Sequence, residues 1–138
     1  MKKVYTVFLP VLFLLITACK KEHPVDPYSN KLIGGTWELY KIDAASYVNP
    51  PFINGNFTFK SGGQLEYVDI NGNSFKGTWN VNYNEETGKQ LLSISVLNIN
   101  GDSRLTQFFF DDIEFTSTEY FTGYHYVFGL VYSFYFKR

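Results

Sequence analysis

The sequence predicts an all-β fold, a small up-and-down antiparallel barrel of about eight strands. From residue 32 onward no segment shows a helical period, and short alternating apolar and polar runs are separated by turn residues such as Asn71-Gly72. The tripeptide Gly-Thr-Trp opens two of these runs, at Gly35 and at Gly77. A meander of short strands favours closure, because a closed sheet exposes no strand edges. A two-sheet sandwich is the alternative that the same pattern allows.

The fourth predicted strand has the clearest alternation. Trp79 and Val81 share one face, whereas Thr78 and Asn80 share the other, as in an antiparallel sheet with one buried face. Residues 44–55 contain Pro50-Pro51, which lacks the donors of a ladder, and are predicted to form a loop. The predicted strands cover residues 36–42, 57–60, 64–70, 74–83, 90–97, 104–115, 120–128 and 130–137.

The amino terminus has the features of an export signal. Lys2 and Lys3 precede the apolar residues 4–16, a stretch too short for the roughly 20 residues of a membrane-spanning helix. The residues Ile-Thr-Ala-Cys that end at Cys19 resemble the lipobox of bacterial lipoproteins. The resemblance implies a signal peptide at 1–18, a lipidated Cys19 with a flexible tether at 19–31, and a domain at 32–138. An ordinary signal peptide with an incidental cysteine is the alternative.

A lipidated Cys19 predicts a membrane partner and a bacterial outer-membrane location. Each buried methylene of an acyl chain contributes about 0.8 kcal/mol, so several chains anchor a protein permanently. Lys21-Glu22 resembles part of a surface-export signal, and surface display is a further expectation beside a periplasmic orientation. Without Lys2 and Lys3 the chain has ten basic and 13 acidic side chains, and the basic ones are scattered. This balance predicts no nucleic-acid partner.

The first Gly-Thr-Trp resembles the Gly-x-Trp signature of the calycin superfamily, which includes the lipocalins. The resemblance implies a lipocalin-like barrel closed at its base by Gly35, Trp37 and Arg138, with the basic side chain packed across the indole. A guanidinium over an indole is a favourable cation–π pair. The lipocalin mid-chain motif is echoed only loosely, by Thr118-Glu119-Tyr120, and the domain is shorter than a full lipocalin.

Polar clusters in the domain predict neither catalysis, a cofactor nor a metal site. Asp69, Asn71 and Asn73 have the spacing of a calcium loop, but a hairpin turn explains them. Alternation separates Asp111 from Asp112 and Glu114, so a shared acidic site there requires a bulge. His125 has no nucleophile motif with which to pair. The chain is therefore predicted not to be an enzyme.

Aromatic residues, 20% of the chain, are the strongest indication of function. One hypothesis is a barrel pocket for a small hydrophobic or glycan-like ligand, since binding sites are mostly apolar with few polar groups. The alternative is a barrel filled by its own side chains, whose aromatic outer face meets another envelope protein. An interior cavity favours the first hypothesis, and an exposed apolar patch favours the second. The residues predicted to bind the ligand are Trp37, Phe57, Tyr67, Trp79, Tyr124, Tyr132 and Phe134.

Overall fold

The structure, a computed structural model, describes residues 27–43 and 50–138 and is all-β apart from short helical turns. A six-residue helix, α1 (Pro27–Leu32), precedes the sheet, and a single 3₁₀ turn, Ser61–Gly63, follows the second strand. The strands are β1 (Thr36–Asp43), β2 (Gly55–Lys60), β3 (Gln64–Val68), β4 (Ser74–Asn84), β5 (Lys89–Leu97), β6 (Leu105–Phe110), β7 (Asp112–Phe115), β8 (Tyr120–Val127) and β9 (Leu130–Lys137).

The strands follow the alternation of the sequence. In β4, Trp79 and Val81 are buried, whereas Thr78 and Asn80 are exposed. Seven of the eight predicted strands are confirmed as single strands, with bounds shifted by at most two residues. The eighth, predicted at 104–115, is interrupted at Asp111 and forms β6 and β7. Residues 27–31, predicted to be tether, lie in α1, for which the composition gave no signal.

The nine strands form one antiparallel sheet that is not closed. Its order is β6-β5-β4-β3-β2-β1-β9-β8-β7, so the first strand pairs with the last, as in an up-and-down barrel. The order ends at β6 and β7, which follow each other in the chain and are separated only by Asp111. The predicted closed ring of eight strands is therefore corrected to an open sheet of nine. The physical reason is the break at Asp111, where the chain leaves β5 and turns to β8.

The hairpin connections place the turns at two opposite ends of the sheet. The end where β1 begins, which we call the helix end, carries α1 and the β2–β3, β4–β5 and β7–β8 turns. The opposite end, which we call the distal end, carries the β1–β2 connection and the β3–β4, β5–β6 and β8–β9 turns. The first described residues, those of α1, therefore lie at the helix end.

Each Gly-Thr-Trp motif contributes a buried indole, and the second also allows a close approach of two backbones. The indole N–H groups of Trp37 and Trp79 donate to the carbonyl oxygens of Leu32 and Lys60, each at 2.9 Å. A Cβ at Gly77 would collide with the backbone carbonyl of Ser95 on β5. Only glycine therefore lets β4 and β5 approach this closely next to Trp79.

Candidate functional site

The three residues predicted to close the base of the barrel contact one another at the helix end. The Cζ of Arg138 lies 4.7 Å from the centroid of the Trp37 indole, which is fully buried. A Cβ at Gly35 would lie 2.9 Å from Cδ of Arg138, so glycine makes room for this side chain. The backbone N–H of Arg138 donates to Glu119 O at 3.0 Å, which fixes the carboxyl terminus beside the β7–β8 turn.

Helix α1 covers the same end. Its last carbonyl, that of Leu32, accepts the Trp37 indole, and the ring of Tyr28 lies 5.4 Å from that of Phe115. Leu32 itself is fully buried. A six-residue helix has little stability of its own, so these contacts hold it in place.

Six of the seven residues predicted to bind a ligand lie in the hydrophobic core, and their rings pack on other rings. The Phe57 and Tyr67 centroids are 4.8 Å apart, and Phe134 lies 5.2 Å from both Phe108 and Phe110. The seventh, Tyr124, is half-buried and faces outward. The six core members are Trp37, Phe57, Tyr67, Trp79, Tyr132 and Phe134.

Two of the predicted residues have hydroxyl groups that are held as donors. The Tyr67 hydroxyl donates to Asn54 O at 2.9 Å, and burial raises the pKa of Tyr67. The Tyr124 hydroxyl donates to Glu114 Oε2 at 3.2 Å, and the pKa of Tyr124 is raised by burial and then by that carboxylate. Both groups therefore act as neutral donors that already have partners in the protein.

Two pockets of the described chain open on its surface rather than in its core. One, of about 440 Å³, lies over β2–β4 and is lined largely by the polar side chains of Lys60, Gln64, Glu66, Ser74 and Lys76. The other, of about 400 Å³, lies at the distal end beside Asn54 and Asp69. None of the seven predicted ligand-binding residues lines either pocket.

The residues with calcium-loop spacing, which begin at Asp69, form a hairpin turn. Asp69 Oδ1 accepts the backbone N–H groups of Asn71 and Asn73 at 2.9 and 2.8 Å, and Oδ2 accepts the Asn73 side chain at 2.9 Å. These hydrogen bonds, led by that of the Asn73 side chain, hold the pKa of Asp69 below its ordinary value. Among residues 27–43 and 50–138, no group of three His, Cys, Asp or Glu side chains has the geometry to hold a metal ion.

The acidic pair Asp111-Asp112 joins the two ends of the open sheet. Asp111 N donates to Tyr124 O at 2.7 Å, and Asp111 Oδ2 accepts Tyr126 N at 2.8 Å and pairs with His125 Nδ1 at 2.9 Å. On the other side, Asp112 Oδ1 accepts Gln90 N, on β5, at 3.2 Å. Adjacent carboxylates thus connect the chain to β8 and to β5, which the sheet does not pair with each other.

The sequence contains a signal for this break that strand reasoning missed. The buried residues of β6, Phe108 and Phe110, have even numbers, whereas Ile113 of β7 has an odd number. Such a change of parity requires an extra residue in the strand, because successive side chains alternate between faces. His125 does have an acidic partner, Asp111, which the strand alternation alone did not reveal.

Exposed hydrophobic side chains gather at the distal end. Phe128 is fully exposed at the tip of the β8–β9 turn, and Ile70, at the β3–β4 turn, is 70% exposed. Leu97 and Leu105, which are paired at the ends of β5 and β6, are also more than half exposed. The remaining members of this group, which we call the apolar distal surface, are Ile53, Leu130 and Val131.

Some outward-facing tyrosines differ from this surface, because lysines of the chain cover their rings. Lys41 Nζ lies 4.8 Å from the Tyr135 ring, and Lys89 Nζ lies 4.0 Å from the Tyr126 ring. Cation–π contacts of this kind use ring faces that a partner would otherwise meet. The ring faces of these two tyrosines are therefore less available to a partner than the apolar distal surface.

Comparison with known proteins identifies no relative, since no family model, curated protein or solved structure matches the chain. No helix in the described ranges is long and apolar enough to cross a membrane. Cys19 and the rest of the predicted signal and tether up to residue 26 lie outside the described residues.

Proposed function

We propose that this protein is a lipid-anchored interaction protein of the bacterial envelope, with a lipocalin-like sheet whose interior is filled by its own side chains. Acyl chains on Cys19 hold it to the outer membrane. The apolar distal surface binds another envelope protein.

One observation carries the proposal: the hydrophobic side chains that the core does not use are concentrated at the end opposite α1. Because α1 lies at the helix end, we expect a lipid on Cys19 to tether that end of the domain and to leave the distal end accessible. Exposed hydrophobic side chains that gather in one region of a surface are a common feature of interaction sites. The packed rings of Phe57, Tyr67 and Phe134 favour this function over a carrier, because a ligand would have to displace them.

The test is native mass spectrometry of the protein purified from its own host in mild detergent. The variant Ile70→Ser/Phe128→Ser removes two exposed side chains of the apolar distal surface, and Tyr83→Ser, at the helix end of β4, is the matched control. We expect a complex with a second protein that the double variant loses and the control retains. A bound small molecule without a protein partner would establish the carrier function instead.

Lipid anchoring has an independent test. In a bacterial host, Cys19→Ser is expected to move the protein from the membrane fraction to the soluble fraction, and the wild-type mature chain should begin at an acylated Cys19. A mature chain that starts elsewhere, without acyl groups, would contradict the anchor but not the binding surface.

A further inference from the structure

Strand β6 has one edge without a neighbouring strand. In the described chain β6 pairs with β5 alone, in a register that runs from Leu92 opposite Phe110 to Leu97 opposite Leu105. Gln90 N donates to Asp112 Oδ1, on the side of β5 away from β4, so the even-numbered residues of β5 direct their backbone groups toward β6. Their partners Phe110, Phe108 and Thr106 therefore face β5. Because backbone N–H and C=O groups alternate between the two sides of a strand, those of Leu105, Gln107 and Phe109 face away from β5.

Strand β8 does not satisfy these groups beyond Asp111. The N–H of Tyr126, the next amide along β8, donates to the carboxylate of Asp111 instead of to a carbonyl of β6. The ladder of β8 on that side is with β7, and its register ends at Tyr124 opposite Asp112. Strands β6 and β8 are held together at Asp111, and between Asp111 and the distal end they form no ladder with each other.

The same edge lacks the features that usually protect an exposed strand. Charged residues, prolines, bulges and short length normally prevent an edge from pairing with another chain. From Leu105 to Phe110 the sequence has no charge and no proline, and the Leu105 and Phe109 side chains are each 54% exposed. By contrast β7, the other end of the sheet, has four residues and carries Asp112 and Glu114.

We propose that the free edge of β6 binds an extended, uncharged peptide segment of a partner protein as an added antiparallel strand. The backbone groups of Leu105, Gln107 and Phe109 hydrogen-bond to the segment, and the exposed Leu105 and Phe109 side chains contact its apolar residues. The inference rests on the proposed function and specifies where on the domain the partner binds. The edge begins at the exposed Leu97–Leu105 pair, so it is continuous with the apolar distal surface.

The probe is an acetylated and amidated eight-residue peptide of alternating valine and threonine, added to the protein at concentrations up to about 1 mM. A dissociation constant above about 1 mM counts as no binding. Amide exchange followed by NMR should show new protection at Leu105, Gln107 and Phe109. Gln107→Pro removes an N–H that faces away from β5, so it spares the existing ladder. We expect it to lose about tenfold in affinity, the equivalent of one hydrogen bond. Gln107→Ala, which keeps the N–H, should bind as the wild type does.

A second variant, Leu105→Lys/Phe109→Lys, keeps every backbone group and places charges on the edge. This variant should lower the affinity for the peptide by as much as Gln107→Pro does. If Gln107→Pro does not fold, the lysine variant alone tests whether the peptide binds at β6. Absence of peptide binding to the wild type, or equal binding by all variants, would overturn the assignment to β6. NMR chemical-shift changes on peptide addition that are confined to Ile70 and Phe128 would also overturn the assignment to β6, but they would be consistent with the proposed function. The same conclusion would follow if Ile70→Ser/Phe128→Ser lost the complex with the native partner while Gln107→Pro retained it.

Discussion

Trp37 and Arg138 connect the first strand of the sheet to the end of the chain. The indole is fully buried and donates to Leu32 O, while the guanidinium covers its face at 4.7 Å. One side chain thus holds α1, β1 and the carboxyl terminus together. This explains why the tripeptide at Gly35 marks the start of the sheet.

Removing the cation from this contact should destabilise the domain measurably. Arg138→Ala is expected to lower the free energy of unfolding by about 1 kcal/mol, the typical contribution of a cation–π pair. The control is Arg104→Ala, because the Arg104 side chain is highly exposed and pairs with the exposed Asp102 at 3.4 Å. We expect that change to stay within about 0.5 kcal/mol. Urea unfolding measures both, and equal effects of the two variants would show that the Trp37 contact is not stabilising.

Asp69 should make stability depend on pH. Its pKa in the folded protein is lowered by the hydrogen bonds from Asn73 and Asn71, relative to an ordinary value of 3.8. A depressed pKa means that the stabilisation is complete above the unfolded pKa and is lost as the pH falls through the folded value. Urea unfolding at pH 6 and pH 3 should show a smaller difference for Asp69→Asn than for the wild type. An unchanged difference would show that the turn does not contribute to acid sensitivity.

At the scale of elements, the division of the predicted sixth strand into β6 and β7 decides the architecture. Asp111 bends the chain and accepts hydrogen bonds at a point where the backbone ladder does not continue. Its carboxylate replaces the missing ladder partner of β8. This side chain therefore keeps the two ends of the open sheet together.

Asp111→Ala should weaken this junction. The variant leaves the Tyr126 N–H and the His125 Nδ1 without their acceptor, and we expect a loss of about 1–2 kcal/mol in unfolding free energy. Amide exchange at Tyr126 should accelerate at the same time. Glu86→Ala, in the exposed β4–β5 turn, is the control and should stay within about 0.5 kcal/mol. Unchanged exchange at Tyr126 in Asp111→Ala would contradict the role given to this carboxylate.

The sequence predicted elements better than it predicted their assembly. Alternation around Trp79 and the turn residues Asn71-Gly72 gave strand bounds close to those observed, because local periodicity encodes a half-buried strand. Alternation alone did not reveal the break at Asp111, since the parity change from Phe110 to Ile113 shows only when both faces are followed across it. Whether the rings enclose a cavity depends on side-chain volumes in three dimensions, which periodicity does not contain.

At the scale of the whole molecule, one end is covered and the other exposes several hydrophobic side chains. The helix end is sealed by α1, Trp37 and Arg138, while Ile70 and Phe128 stand exposed at the distal end. Between the two ends, aromatic rings pack against one another in the core. The sheet around them is open beside β6. With the proposed lipid anchor near the helix end, the exposed side chains of the distal end would be free to meet the proposed partner.

Amide hydrogen exchange along β6, followed by NMR on the isolated protein, tests the open sheet most directly. The amides of Thr106, Phe108 and Phe110 face β5, whereas those of Leu105, Gln107 and Phe109 have no partner strand. We predict that the second set exchanges about a hundredfold faster than the first, because unpaired edge amides need no opening. Uniform protection of all six amides would mean that β8 pairs with β6 and closes the barrel, which would contradict both the open edge and the peptide site assigned to it.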